Sequence, residues 1–287
     1  MANVAMIVTN ACDPDPRVID SARWLSEQGH QVTIHAYDRQ QTSPAIATID
    51  GVKIIRYHLG KSPYGGLLKT GLGIRKFQYS VLTRLKQNAP DVVVCHDADT
   101  LIVGCKIKQR LGVKLIFDMH DLQHTWVLMP NPKSAIRKTI SKLMQRKLLQ
   151  RLKHVDQIFT SSGAIKNGEY PGFKQWLAKY GYGSTVIENR PATAVQMPLP
   201  KSQDWTVSHI GRIRDLTSIK LLLAAVKLIP EPQRPILHIA GEGTEYDRVK
   251  MSIEQFSDDF GLKYVIEKSF QKDDLSTMLQ QTNVMYA

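Results

Sequence analysis

What this 287-residue chain lacks already narrows what it can be. Its three cysteines, Cys12, Cys95 and Cys105, are odd in number and scattered without metal-motif spacing. That set fits a reducing compartment better than a disulfide framework. No apolar run approaches the roughly 18 residues of a membrane-spanning helix; the longest is Leu221–Val226. Nor does a basic leader open the chain: Asn3–Thr9 is a short strand-like run that stops at Asn10, Asp13 and Pro14, so a mature cytoplasmic chain is expected. The Gly-x-Gly-x-x-Gly loop of dinucleotide sites is missing, which speaks against a dehydrogenase. What is present, 43% hydrophobic and 22% charged residues, can bury a core and excludes a disordered or fibrous chain. By length this is one large domain or two ordinary ones.

Acidic residues are unevenly scarce. The net charge is +12, but residues 1–190 hold 27 Lys+Arg against 14 Asp+Glu, whereas residues 191–287 hold 11 against 12. The positive excess lies in the first part and points to an anionic partner there: nucleic acid, an anionic membrane or a phosphorylated substrate. Lys53–Lys86 and Lys133–Lys153 each carry eight basic residues and no acidic one. The second stretch reads as a helix, with Ile136, Ile140, Met144, Leu148 and Leu152 recurring at every fourth position. Its basic residues, among them Lys133, Arg137, Lys138, Lys142, Arg146 and Lys147, are either the solvated face of a packed helix or a contact with anionic lipid headgroups. Little aromatic interleaving and no common binding motif make nucleic acid the weaker partner.

Short β-branched runs alternate with helical periods along the first 190 residues. Strands are expected at Val4–Val8, Val32–Ala36, Val52–Tyr57, Val92–Cys95, Lys114–Asp118, Gln157–Ser161 and Thr185–Glu188, and helices at 16–28, 66–88, 99–111, 133–154 and about 163–180. This predicts an α/β, Rossmann-like domain over residues 1–190, its mainly parallel sheet covered on both faces. Asn189-Arg190-Pro191 opens a proline-bearing linker over 191–203. From 204 to 287 the alternation resumes, with strands at 206–210, 236–240, 263–267 and 283–287 and helices at 217–228, 245–259 and 273–281. Stopping inside a strand leaves a sheet edge uncovered, so the second Rossmann-like domain is expected to be C-terminally incomplete.

Ligands of open α/β sheets bind beyond the carboxyl ends of the strands, a filter that selects few polar residues. After the first strand come Asn10, Asp13, Asp15 and Arg17, with Pro16 suited to the first turn of a helix; this is either a solvated, capped turn or a set of substrate contacts. The fourth strand ends His96-Asp97-Ala98-Asp99 and the fifth Asp118-Met119-His120-Asp121. An imidazole there can serve a phosphate or sugar hydroxyl as acid or base, and Asp97 and Asp121 can accept from hydroxyls or orient the rings. Asp97-Ala98-Asp99 beside His96, His120 and His124 imitates a metal motif, but Asp99 equally suits a helix N-cap, and no metal is expected. In the second half Gly211-Arg212-Ile213-Arg214 leads into a helix whose first turn holds Thr217 and Ser218. Close backbone approach, free N–H groups and a guanidinium suit a phosphate. Gly241-Glu242-Gly243 follows the next strand, where a nucleotide would continue.

Taken in order, Asp15-Pro16-Arg17-Val18 with Gly29-His30-Gln31-Val32, His96-Asp97-Ala98-Asp99-Thr100-Leu101, Phe117-Asp118-Met119-His120-Asp121, Val186-Ile187-Glu188-Asn189, Ile210-Gly211-Arg212 and Ile239-Ala240-Gly241-Glu242-Gly243 resemble the group-4 family of GT-B-fold glycosyltransferases. The resemblance implies retaining transfer of a sugar from a nucleotide-diphosphate sugar to a glycan or lipid-linked acceptor, with no cofactor or bound metal, in a cleft between two Rossmann-like domains. It implies an acceptor-binding N-terminal domain contributing Asn10, Asp15, Arg17, His96, Asp97 and Asn189, with His120 and Asp121 at the reacting centre. Gly211, Arg212, Arg214, Thr217, Glu242, Gly243 and Ser269 would bind the donor's phosphates and nucleoside in the other domain. It also implies work in polysaccharide or lipopolysaccharide assembly; together with the basic stretches 53–86 and 133–153 it leads to an expected location in the cytoplasm, peripheral on the inner face of the cell membrane. The sequence departs from the pattern in having Thr217 where a lysine is usual, in lacking a Gly-Gly turn after the first strand, and in ending before the Glu-x7-Glu segment that grips the donor sugar; weak donor binding is expected of it. A nucleotide-sugar 2-epimerase of the same fold and a non-catalytic basic docking module are the competing readings.

Overall fold

The computed structural model describes residues 1–13, 15–61, 67–129, 131–165, 171–189, 204–270 and 274–286; the linker expected at 191–203 lies outside them. The chain divides into two compact units, Met1–Arg190 and Pro191–Ala287.

In the first unit the order is β1 (Asn3–Val8), α1 (Pro16–Glu27), β2 (Gln31–Ala36), β3 (Ile46–Ile49), β4 (Val52–Arg56), α2 (Leu67–Gln87), β5 (Val92–His96), α3 (Leu101–Leu111), β6 (Lys114–Met119), α4 (Gln123–Trp126), α5 (Ala135–Leu152), β7 (Gln157–Thr160), α6 (Phe173–Ala178) and β8 (Thr185–Val186). The strands lie in the order β3-β4-β2-β1-β5-β6-β7-β8. All pair in parallel except the edge strand β3, which pairs antiparallel with β4. Alternation sorts the side chains. Ala5, Ile7, Val93, Cys95, Leu115 and Phe117 pack against Phe77 of α2, Leu101 and Ile107 of α3 and Leu148 of α5. Val4, Met6, Val8, Val32, Ile34 and Val94 pack against Val18, Ile19 and Ala22 of α1. Each fully buried large side chain contributes about 1.5–3 kcal/mol, so these two layers hold the strand ends in register.

Three expectations need correction. Among the described residues the helix expected at about 163–180 forms at Phe173–Ala178, entered through Pro171 and Gly172; residues 166–170 lie outside the described chain. The strand expected to reach Glu188 stops at Val186. On α5 the stripe meets the core only in its second half: Leu148 and Leu152 are buried, but Ile136 is 74% exposed.

The second unit runs β9 (Thr206–Ile210), α7 (Leu216–Lys227), β10 (Ile236–Ala240), α8 (Tyr246–Phe260), β11 (Tyr264–Glu267), α9 (Asp274–Gln280) and β12 (Val284–Met285), in a parallel sheet of order β11-β10-β9-β12. Its core joins Leu237 and Ile239 to Ile219 and Leu223 of α7 and Val249 and Ile253 of α8. Backbone lies on backbone where β9 and β10 end. A Cβ on Gly241, whose φ is 141°, would sit 1.7 Å from the Gly211 carbonyl oxygen, and one on Gly243 1.8 Å from that of Ile213. Ile213 N donates to Glu242 O at 2.9 Å across the same contact. Among the described residues, no helix is long and apolar enough to cross a membrane.

Gly241→Ala is expected to destabilise the second unit by at least about 1–3 kcal/mol, since rigid backbone must give way to the added methyl. Hydrogen exchange followed by mass spectrometry should show faster exchange in β9 and β10 and unchanged exchange in β1 and β5; equal protection in all four strands would contradict this packing argument.

Candidate functional site

Strand order reverses beside β1: α1 carries the chain to β2 across one face, while α2 and α3 flank β5 on the other. Such a switch point leaves a crevice beyond the carboxyl ends of the strands. Within β5 and β6, His96 and Asp118 are paired in register, and alternation puts them in the row of Val94 and Ile116, on the face that α1 covers. Because α1 starts at Pro16, its first residues arrive over that row.

Asp118 is the centre of the arrangement. His120 Nε2 donates to Asp118 Oδ2 at 2.8 Å. His96 Nδ1 lies 3.0 Å from the same oxygen, out of line for a hydrogen bond but close as a charge contact. Burial alone would raise the Asp118 carboxyl, but the two imidazoles outweigh it and hold it well below the usual carboxylate range. On the other side of the ring, Asn189 Nδ2 donates to His120 Nδ1 at 3.3 Å. A neutral His120 with its proton on Nε2 thus has both nitrogens engaged. Asp118 was not among the residues selected from sequence.

The β1 loop closes over this pair. Arg17 donates from Nε and NH2 to the two oxygens of Asp15, each at 3.1 Å, and Asn10 Nδ2 donates to Asp15 Oδ2 at 2.8 Å. Burial would raise Asp15, yet Arg17 and Asn10 hold it below its ordinary value. Asp15 is therefore a buried anchor for Arg17 rather than a solvated cap, and its side chain makes no capping bond to α1. Arg17 in turn feels Asp97 and Asp118.

Asp99 is corrected in the same way. The N-cap position of α3 is Thr100, and the Asp99 carboxylate instead accepts from Thr9 Oγ1 at 2.5 Å. Asp97 adopts a left-handed φ of 66°, an uncommon conformation for a residue other than glycine. One oxygen of each of Asp97, Asp99 and Asp121 is buried without a hydrogen-bond partner. Burial raises all three carboxyls, and the charges of Asp97 and Asp99 help take Asp121 to about 6. His124 stands apart, its ring stacked on Trp176. Among the described residues, the donor atoms close enough to share a cation are those of His96, Asp118 and His120, mutually within 4.8 Å, and not those of the Asp97-Ala98-Asp99 run.

In the second unit Gly211, Arg212, Arg214 and Thr217 follow β9, Glu242 and Gly243 follow β10, and Ser269 follows β11, so all seven lie beyond carboxyl ends of one sheet. Arg212, Arg214, Thr217, Glu242 and Ser269 are exposed. The expectation of free N–H groups at the start of α7 needs amendment, because the Asp215 side chain accepts from Thr217 N at 2.8 Å. Lys133, Lys138, Lys142, Arg146 and Lys147 are exposed on or just before α5. Arg137 is partly buried and donates to the Val127 carbonyl at 2.9 Å, tying α5 to the end of α4.

The family described as the glycosyl transferase 4-like domain matches residues 15–167, which is over half of the chain. The chain belongs to that family. It is a glycosyltransferase with the GT-B fold. No curated protein sequence matches it. Among solved structures, a sucrose-phosphate synthase from Thermosynechococcus elongatus superposes with a TM-score of 0.74 at 15% identity, covering 99% of this chain and 75% of that one. HepE from Anabaena, in complex with UDP and glucose, gives 0.58 at 13% identity over 99% and 73%. The lipopolysaccharide outer core galactosyltransferase WaaB gives 0.58 at 15% over the same shares.

The folded chain holds a proton on Asp121 up to about pH 6 that the unfolded chain releases near pH ~4, so this group's contribution to stability is full below that lower value and is lost as pH rises through the upper one. Asp121→Asn, which cannot ionise, should melt higher than the parent chain above pH ~6, the gap closing toward pH ~4. Thermal melts across that range test it, and a gap that does not vary with pH would remove the assignment.

Proposed function

We propose that this glycosyltransferase moves a sugar, with retention of anomeric configuration, from a nucleotide-diphosphate sugar to a glycan or lipid-linked acceptor in cell-surface glycan assembly. The observation that carries the proposal is the convergence of His96, Asp118, His120 and Asn189 at the β1–β5 switch point of a chain of this family. In this reading His120 and Asp121 meet the reacting sugar. Asn10, Asp15, Arg17, His96 and Asp97 shape the acceptor side, and Asn189 acts by holding the His120 ring. A His120 whose nitrogens are both engaged is a poor free base. That favours a mechanism in which the departing phosphate oxygen takes the acceptor's proton and the protein supplies orientation and charge.

Donor binding is assigned to Gly211, Arg212, Arg214, Thr217, Glu242, Gly243 and Ser269, with the two guanidinium groups neutralising the leaving diphosphate. No metal or other cofactor is called for by this scheme. Support for a nucleotide-sugar donor comes from HepE, which was captured with UDP-glucose. Support for a cell-surface product comes from WaaB, a lipopolysaccharide outer core galactosyltransferase. The exposed cations of α5 are assigned to an anionic membrane surface on the cytoplasmic side, and no nucleic acid partner is assigned.

Incubation with a panel of nucleotide sugars should release nucleoside diphosphate, and the anomeric proton coupling of the product reports retention. His120→Ala and Arg212→Ala are each expected to lower turnover about 10²–10³-fold; unchanged turnover in both would remove the site assignment. For the membrane, co-sedimentation with phosphatidylserine vesicles should weaken as salt rises and fall further in a Lys138→Glu, Lys142→Glu, Lys147→Glu chain. Tight DNA binding in a gel shift without vesicle binding would defeat the membrane assignment.

A further inference from the structure

Beyond the carboxyl ends of β6 and β7 the first unit holds a cavity of about 210 Å³. Its walls include Leu122, Ser162, Phe173, Trp176 and Lys179, and Leu122 is the residue next to Asp121. We infer that this cavity is the subsite for the terminal pyranose ring of the acceptor, an inference that rests on the transferase reading above.

The cavity is firmly built. A Cβ on Gly172 would lie 2.0 Å from the Gly163 carbonyl oxygen, so the chain entering α6 lies directly on the loop that leaves β7. Phe173 N donates to Ser162 Oγ, and Lys174 N to Ser162 O, both at 3.1 Å. Trp176 is held on two sides, stacked on His124 at 5.7 Å between centroids and tilted against Tyr180 at 5.1 Å. The aromatic wall is therefore fixed before any ligand arrives, which lowers the ordering cost of binding.

Size and chemistry choose the occupant. The volume falls below the roughly 300–1,000 Å³ of cavities that take drug-sized ligands, so it suits a single ring rather than a nucleotide or a long lipid chain. A pyranose offers C–H groups on its faces and hydroxyls around its rim. Phe173 and Trp176 match the first, while the Ser162 hydroxyl, which accepts from Phe173 N and can still donate, and the Lys179 ammonium match the second. Lys179 also favours a neutral or acidic sugar over a cationic one.

The test uses the full chain labelled with 5-fluorotryptophan. The sequence has four tryptophans, and Trp176→Phe identifies the fourth resonance. Methyl glucopyranoside, methyl galactopyranoside, methyl N-acetylglucosaminide and methyl glucuronide are titrated without donor. At least one is expected to move the Trp176 signal saturably while the other three stay in place, with Phe173→Ala weakening binding about tenfold. Should Phe173→Ala not fold, Lys179→Met, at an exposed position, is expected to weaken the glucuronide about threefold and the neutral sugars less. No movement of the Trp176 signal with any of the four sugars, or equal binding in the variant, overturns the subsite. Donor turnover is measured separately, with donor concentrations raised to offset the weak binding expected of the chain: its absence there counts against the transferase reading, while the titration still decides the cavity.

Discussion

Where parallel strands are joined across opposite faces of one sheet, the connections diverge and leave the strand ends between them uncovered. Here that divergence falls beside β1, with α1 on one face and α2 and α3 on the other. The polar cluster around Asp118 follows from it. Strand alternation sends Val94 and Ile116 into the layer under α1, and the same row continues outward as the register pair His96 and Asp118. At that point the apolar layer has ended but solvent has not begun, because α1 starts at Pro16 and brings Asp15 and Arg17 over the row. Buried charge in such a place must be paired, and the pairing is what fixes the positions of the side chains.

The pairing is uneven, and the unevenness is chemically useful. Asp118 and Asp15 are surrounded by donors and held ionised, whereas Asp97, Asp99 and Asp121 are pushed upward by burial and by one another. Carboxyls with environments that drive them apart can play different parts at one pH. Those held ionised keep Arg17, His96 and His120 in place. Those pushed up retain unpartnered oxygens that a hydroxyl-rich ligand can satisfy. A sugar supplies many such hydroxyls in a small volume.

Much of this was legible from the sequence. The alternation of strands and helices gave the parallel sheets within a residue or two at most elements, and the filter for polar residues at strand ends gave His96, Asp97, His120 and Asp121. The same filter held Asp118 at the end of the expected strand Lys114–Asp118 without giving it a role. The signal that would have found it is parity: Asp118 and His120 are two residues apart and share a face of the sheet. Strand β3 escaped because it is short and half exposed, although Asp50-Gly51, both at positive φ, is a hairpin signal of the strongest kind. Where α6 starts could not be read, since it depends on how Gly172 lies against Gly163, a contact between segments that no local propensity encodes. Asp99 looked like a cap because capping is a local preference, and a tertiary bond to Thr9 overrode it.

Charge in the first unit works at two ranges. Its net excess is strongly positive, yet Asp15, Asp97, Asp99, Asp118 and Asp121 gather at the ends of β1, β5 and β6. The cations of α5 are exposed, so their field reaches only about one Debye length, ~8 Å, in physiological salt. It can draw an anionic surface to that helix but cannot set the protonation of a buried carboxyl screened from it by a sheet. Inside, contacts act at short range and through a lower effective dielectric, so the hydrogen bond from His120 and the adjoining His96 ring hold Asp118 ionised. A basic exterior and an acidic pit can therefore coexist in one domain without cancelling. On the proposed reading, the exterior holds the carrier of the acceptor while the pit takes its hydroxyls, and raising the salt should separate the two functions: surface attachment weakens, and the hydrogen-bonded ring is left almost untouched.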